Sequence, residues 1–239
     1  MTTGIKMTND DGNLSFSDSN DYYVFEEKLT SSNATIMFGQ RFYWTTTYNG
    51  SAFPIVFIYS NNRYGSVIDT FRNASGTWQI HVWTGWNSAT DTANNIEGYV
   101  FVDSSQVSTS PSYGIRLNNA SGTRVYDSDM DIIKVKGFGT VPASGTANAS
   151  CSLYLIEQVQ IQAHGISGMT KPAAMLYQNN AQYRECSGST YFWKAISAID
   201  GTNLVTSWLY MGGLFGVGST ATIYPSQAYT TPIIDGNDY

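Results

Sequence analysis

Charge is scarce in this chain of 239 residues: Asp, Glu, Lys and Arg together make up 13%, against roughly 25% in an average soluble protein. The 12 Lys plus Arg are outnumbered by 18 Asp plus Glu, a net charge of -6. That leaves no basic footprint for a phosphate backbone and argues against nucleic-acid binding. Cysteine is nearly absent. Cys151 and Cys186 lie too far apart for a metal-ligand pair or a Cys-x-x-Cys redox pair, and two cysteines make no disulfide framework. Whether they pair with each other stays open. Only two histidines occur, His81 and His164, neither in a metal-binding spacing nor near a Gly-x-Ser-x-Gly nucleophile motif. His81 stands between Ile80 and Val82 and is expected to point away from them, as an exposed or edge histidine. No apolar run approaches the roughly 18 residues of a membrane helix, Phe53 to Tyr59 being among the longest. No basic-then-apolar leader opens the sequence, so the chain is expected to stay in the compartment where it is made.

Aromatic residues, in contrast, reach 14%, with Tyr 17, Phe 11 and Trp 6. Together with abundant Ser, Thr, Asn and Gly, they favour strands and turns over helices. Trp78, Ile80 and Val82 recur at period 2 and share one face of a strand, and Gln158 to Gln162 alternates as cleanly. Asn73-Ala74-Ser75-Gly76 and Asn119-Ala120-Ser121-Gly122 place Asn first and Gly last, as a type I turn prefers. No window shows a helical stripe with caps.

The opening Gly4-Ile5-Lys6-Met7-Thr8-Asn9-Asp10-Asp11-Gly12 recurs as Gly114-Ile115-Arg116-Leu117-Asn118-Asn119-Ala120-Ser121-Gly122, at an offset of 110. Pro54 to Asn62 matches Pro172 to Asn180 at an offset of 118. The added residues fit the loop-like Pro142 to Ala149. A weaker third match sets Tyr99 to Val102 against Trp208 to Met211. The expected fold is all-β: two tandem, similar β-sandwich domains at 1–111 and 112–224, followed by an extended C-terminal tail at 225–239.

Candidate sites are few. Asp127, Asp129 and Asp131 fall at period 2 and could meet a cation, yet Ile132 and Phe138 stand where an EF-hand needs Gly and Glu. A solvated turn is the plainer reading. Glu26-Glu27 and Asp10-Asp11 are adjacent pairs that a strand throws to opposite faces, so neither makes a glycosidase pair. Trp83 and Trp86 flank Gly85 and would suit a glycan platform or an interface anchor, although core packing also accounts for them. In the tail, Tyr229, Ile233, Ile234 and Tyr239 have no partner within the repeat scheme. They are expected to dock on a neighbouring chain.

The motif Gly-Ile-x-[Met/Leu]-x-Asn-x-x-Gly, followed by an aromatic and Asp or Ser, resembles the start of small minor tail proteins of tailed bacteriophages. Gly4 to Ser17, Pro54 to Tyr59 and Tyr99 to Phe101 carry the likeness, and Gly114 to Asp127 repeats its opening. The resemblance implies a compact β-structural protein of the tail tip or tail fibre, located in the virion and made in the host cytoplasm. It supplies no catalytic residues. The resulting expectation is a non-enzymatic protein without cofactor or metal, whose partners are other tail proteins and its own copies in a trimer or hexamer. The alternative is a carbohydrate-binding module for a host-surface glycan.

Overall fold

The computed structural model describes residues 6–8, 14–17, 22–37, 41–60, 66–83, 88–107, 114–141, 156–163, 168–175, 181–186, 189–200, 203–215 and 229–239. Its strands are β1 (Lys6–Thr8), β2 (Leu14–Ser17), β3 (Tyr23–Leu29), β4 (Ala34–Met37), β5 (Arg41–Thr45), β6 (Ile55–Ser60), β7 (Ser66–Arg72), β8 (Trp78–Trp83) and β9 (Ile96–Asp103). They continue with β10 (Arg116–Asn118), β11 (Arg124–Asp127), β12 (Gly137–Val141), β13 (Ile156–Ala163), β14 (Pro172–Ala174), β15 (Ala181–Cys186), β16 (Ser189–Asp200), β17 (Asn203–Phe215) and β18 (Tyr229–Asp235). The fold is all-β. One short helix, α1 (Ala89–Asn95), lies between β8 and β9. It is too brief to show a helical stripe, but its start is specified: Ser88 Oγ accepts the Asp91 N–H at 3.1 Å and donates to the Asp91 carboxylate at 2.9 Å.

The turn chemistry anticipated from sequence forms at both sites. Asn73 Oδ1 accepts the N–H groups of Ser75 and Thr77, and Asn119 Oδ1 accepts those of Ser121 and Thr123. Gly76 and Gly122 close the turns at φ 84° and 82°, a conformation that favours glycine.

A six-stranded antiparallel sheet runs in the order β12-β18-β14-β6-β9-β3. Its free edges then meet. Residues 131–133, just upstream of β12, pair with the outer edge of β3: Val24 faces Ile132, Phe25 N–H donates to Asp131 C=O at 2.8 Å, and Ile133 N–H donates to Tyr23 C=O at 3.0 Å. A few residues on, Lys136 N–H donates to Ile233 C=O at 2.8 Å and β12 follows β18 from Gly137 to Val141. One run of chain, 131–141, thus bonds to both ends of the sheet. The ladder closes into a six-stranded barrel whose stagger is the shear that closure demands.

Alternation along the strands sorts two apolar sets. Phe57, Tyr99, Phe101, Ala173 and Ile234 are fully buried on one face. Val56, Ile58, Val100, Val102, Ala174 and Ile233 lie on the other, packed with Phe42, Trp44, Ile80 and Val82 of the four-stranded sheet β4-β5-β8-β7. The first set therefore points into the barrel and the second is its outer coat. A second sheet, β13-β17-β16-β15, contributes Leu204 to that coat. Two buried indoles in the coat keep their N–H groups bonded, Trp44 to the Thr30 carbonyl at 2.8 Å and Trp78 to that of Gly50 at 2.9 Å.

Two expectations are corrected by this topology. The strands of the barrel come equally from both sides of residue 111, so the halves are not two separately closed sandwiches. The described part of the expected tail, 229–239, is not free either. Tyr229–Asp235 is a wall strand bonded to β12 on one side and β14 on the other. Ile233 and Ile234 are both wholly buried, one in the coat and one in the interior. The physical reason is that a strand apolar on both faces, with two ladder partners available in its own chain, needs no neighbour to satisfy it. The third sequence match fails with it: the strand β18, not β17, occupies the place in the barrel that mirrors β9.

Tyr239 also turns inward. Its ring packs on Phe101 at 4.9 Å and Phe25 at 5.4 Å. Its hydroxyl accepts the Lys134 N–H at 2.7 Å and donates to the Ile132 C=O at 3.2 Å. These are backbone groups at the point where 131–141 passes from β3 to β18, so the phenol bridges a gap in the ladder. Burial, against the Lys134 bond, pushes the phenol up to about 12, which keeps the donor proton in place.

Truncation after Tyr224 is expected to remove a barrel wall and abolish the cooperative unfolding transition followed by circular dichroism. A truncated chain that still unfolds cooperatively would refute the closed barrel. Tyr239→Phe keeps the ring and loses both bonds, costing about 1–2 kcal/mol, or roughly 2–8 °C in Tm for a protein of this size.

Candidate functional site

Within the barrel the inward positions of β9 are 97, 99 and 101, and Glu97 places a carboxylate at the rim of an otherwise apolar interior. Sequence reasoning passed over it. The available signal was an acidic residue in phase with Tyr99 and Phe101 inside the run Ile96 to Val102. Strand ends from around the ring supply its partners. Tyr99 Oη donates to Glu97 at 2.6 Å, Lys28 Nζ lies at 2.9 Å, and Lys171 Nζ donates to both carboxylate oxygens at 3.1 and 3.0 Å. The two ammoniums also lie over aromatic rings, Lys28 5.4 Å from the Tyr99 centroid and Lys171 5.6 Å from that of Tyr59.

Two hydrogen bonds tie this arrangement to the end of β18. Lys171 N–H donates to Asp235 Oδ1 at 3.3 Å and Gly236 N–H to the Lys171 carbonyl at 2.8 Å. Gly236 lies so close to the Tyr99 phenol that a side chain there would collide with it.

The electrostatics follow from the geometry. Burial would raise the Glu97 carboxyl, but the Tyr99 hydroxyl and the Lys28 and Lys171 ammoniums outweigh it and bring it from 4.5 to about 2. Tyr99 is pushed far up by burial and by its bond to Glu97, and Lys171 is raised by its bond to the same carboxylate. Glu97, Tyr99 and Lys171 thus keep their protonation states at neutral pH, which suits a rim lock and not a general acid or base.

The sheet β4-β5-β8-β7 carries a second cluster on the face turned away from the barrel. Tyr43 and His81 stack at 5.2 Å and 14°, and Phe71 lies 4.5 Å from His81 on the other neighbouring strand. His81 is only 7% exposed, which corrects its expected exposed or edge position: β8 is a central strand, and rings on both neighbours cover the imidazole. Trp83, half-buried on the same face, has the Arg41 guanidinium 4.9 Å from its ring centroid. Rings stacked on each other spend their faces internally and offer edges outward, whereas a saccharide platform needs a free ring face. Trp86 lies outside the described residues.

Asp127, the first of the acidic triplet, is 1% exposed and held by Arg116, with Nε at 2.9 Å and Nη2 at 3.3 Å, and by Arg124 at 3.1 Å. Its carboxylate neutralises guanidinium groups on its own hairpin, while Asp129 and Asp131 are exposed. Among the described residues no group of three or more His, Cys, Asp or Glu is placed to hold a metal ion. Cys186 ends β15, its side chain lies outside the described residues, and so do Cys151 and His164. Among the described residues no helix is long and apolar enough to cross a membrane. Comparison with protein-family models, curated proteins and solved structures finds no match to the chain.

The Glu97 lock has a definite pH signature. A carboxyl held at about 2 when folded and near 4.5 when free contributes stability that is complete above about pH 4.5 and is lost as pH falls toward 2. After allowance for partial solvent screening the contribution is about 1–2 kcal/mol. Denaturant unfolding between pH 5 and pH 2 is expected to show a drop for the wild type that Glu97→Gln lacks. Equal slopes in the two proteins would refute the lock.

Proposed function

We propose that this chain is a non-enzymatic structural protein of a tailed bacteriophage virion, placed in the tail as a minor tail, tail-tip or fibre-associated component. The observation that carries the reading is that the opening motif builds one structural module twice. In β1–β2, Lys6 faces Ser17, Met7 faces Phe16 and Thr8 faces Leu14, with a bulge between Met7 and Thr8. In β10–β11, Arg116 faces Asp127, Leu117 faces Tyr126 and Asn118 faces Arg124, with the bulge between Leu117 and Asn118. Each position differs by 110. The residues behind the resemblance thus specify a local structure, which supports treating the likeness as more than shared composition.

The second hairpin forms its own two-stranded sheet, with Leu117 and Val125 buried beneath it and Arg116, Asn118 and the tip from Ala120 to Thr123 exposed. On this reading such a hairpin, and not residues 225–239, contacts other tail proteins or further copies of the chain in a trimer or hexamer. A host-surface glycan module finds less support, because the described aromatic rings near Trp83 are stacked or covered by Arg41.

Peptide mass spectrometry of virions from a phage encoding this chain, with tails separated from heads, tests the proposal. The chain is expected in the tail fraction at a fixed ratio to the other tail proteins. Its absence from purified particles would overturn the assignment.

A further inference from the structure

We infer that the barrel is a fused dimer: its two halves are related by a two-fold axis, and the surface that β3 and β6 present fits the counterpart surface of β12 and β14, whether its own chain or another copy supplies it. The inference is independent of the virion reading and rests on register.

A two-fold contact between strands must contain a residue that faces its own counterpart. Two such contacts exist, on opposite sides of the ring. Between β6 and β14, Ala173 faces Tyr59 and Ala174 faces Ile58. Continued by one step, that register brings Phe57 to Met175, and 57 + 118 = 175 at the offset that aligns these segments in sequence. At the closure, Ile133 N–H bonds to the Tyr23 carbonyl, and 23 + 110 = 133 at the offset that aligns the hairpins.

The remaining strands obey the same relation. Val56 faces Val100, and Ala174 faces Ile233. Since 56 + 118 = 174, β18 is the counterpart of β9 at an offset of 133 (100 + 133 = 233). Leu29 faces Gly98 and Gly139 faces Thr231: 29 + 110 = 139 and 98 + 133 = 231, so both pairs obey the offsets already fixed. In each, a glycine opposes a larger residue, with the order exchanged between the halves. A chance resemblance between hairpins would not propagate through the registers of the other barrel strands.

The chain therefore supplies its own dimer partner, and a half lacking a sound partner in its own chain should accept one from another copy. The test uses two full-length variants that place the same lesion in counterpart coat positions, Val100→Asp and Ile233→Asp. Each is unfolded in denaturant and refolded alone or mixed in equal amounts. Expected is failure of either alone to regain the native near-ultraviolet dichroism. The mixture should yield a species of twice the chain mass that regains about half of the native signal per chain, one intact half coming from each variant. Wild-type chain refolded alongside should remain at its usual mass. A mixture equal to the sum of its components would overturn the inference, and so would either variant refolding alone to the native state, since neither half should close the barrel without its counterpart.

Discussion

Everything else in the structure depends on one run of backbone, residues 131–141, bonding to two strands that would otherwise be the free edges of a sheet. A sheet that is apolar on both faces cannot leave an edge in water without exposing a row of N–H and C=O groups beside hydrophobic side chains. Closure removes the problem by consuming both edges. It creates another where the run changes partner, because backbone groups between Ile132 and Lys136 face neither neighbour squarely. The Tyr239 hydroxyl takes up two of them, as donor to Ile132 and acceptor from Lys134. Packing and hydrogen bonding are thus the same event here, for the ring that delivers that hydroxyl also fills the interior against Phe25 and Phe101.

The sequence discloses this fold unevenly, for physical reasons. Local chemistry is legible: the Asn73 and Asn119 turns and the alternation of Trp78, Ile80 and Val82 depend on neighbours within a few residues. Phe53 to Tyr59 was also visible as an apolar run without alternation. That pattern belongs to a strand buried on both faces, which is what Val56 to Ile58 become. What could not be read is which strand lies beside which. Tyr229–Asp235 shares almost no side chains with Ile96–Asp103, so the counterpart of β9 passed for a tail. Its role is fixed by ladder bonds to segments far away in the chain, and those leave no trace in local composition.

The candidate sites show the same divide. Glu97 was passed over because Lys28 and Lys171 arrive from strand ends distant in sequence. Asp127 read as part of a solvated acidic turn because the sequence showed its acidic neighbours, not the two arginines that close around its buried carboxylate in the folded hairpin. His81 was misjudged for a related reason. Alternation gave its face correctly, away from Ile80 and Val82, but not that Tyr43 and Phe71 would enclose it there.

On the two-fold relation inferred above, the rims of the barrel are counterparts of each other, and they have diverged in chemistry. Lys28, Glu97 and Tyr99 at one rim correspond to Phe138 (28 + 110), Thr230 (97 + 133) and Pro232 (99 + 133) at the other. The first rim locks itself with charge and a phenol. The second has no such lock among these residues, and Phe138 is 63% exposed on it. The shared frame explains how this divergence is tolerated. Ladder bonds and the inner residues Phe57, Phe101, Ala173 and Ile234 hold the barrel from within, so the ladder closes at both ends although only one of them carries the charged lock. A duplicated barrel can therefore keep one rim as a structural seal while the other becomes a different surface, with an exposed phenylalanine, Phe138, where the first half carries Lys28.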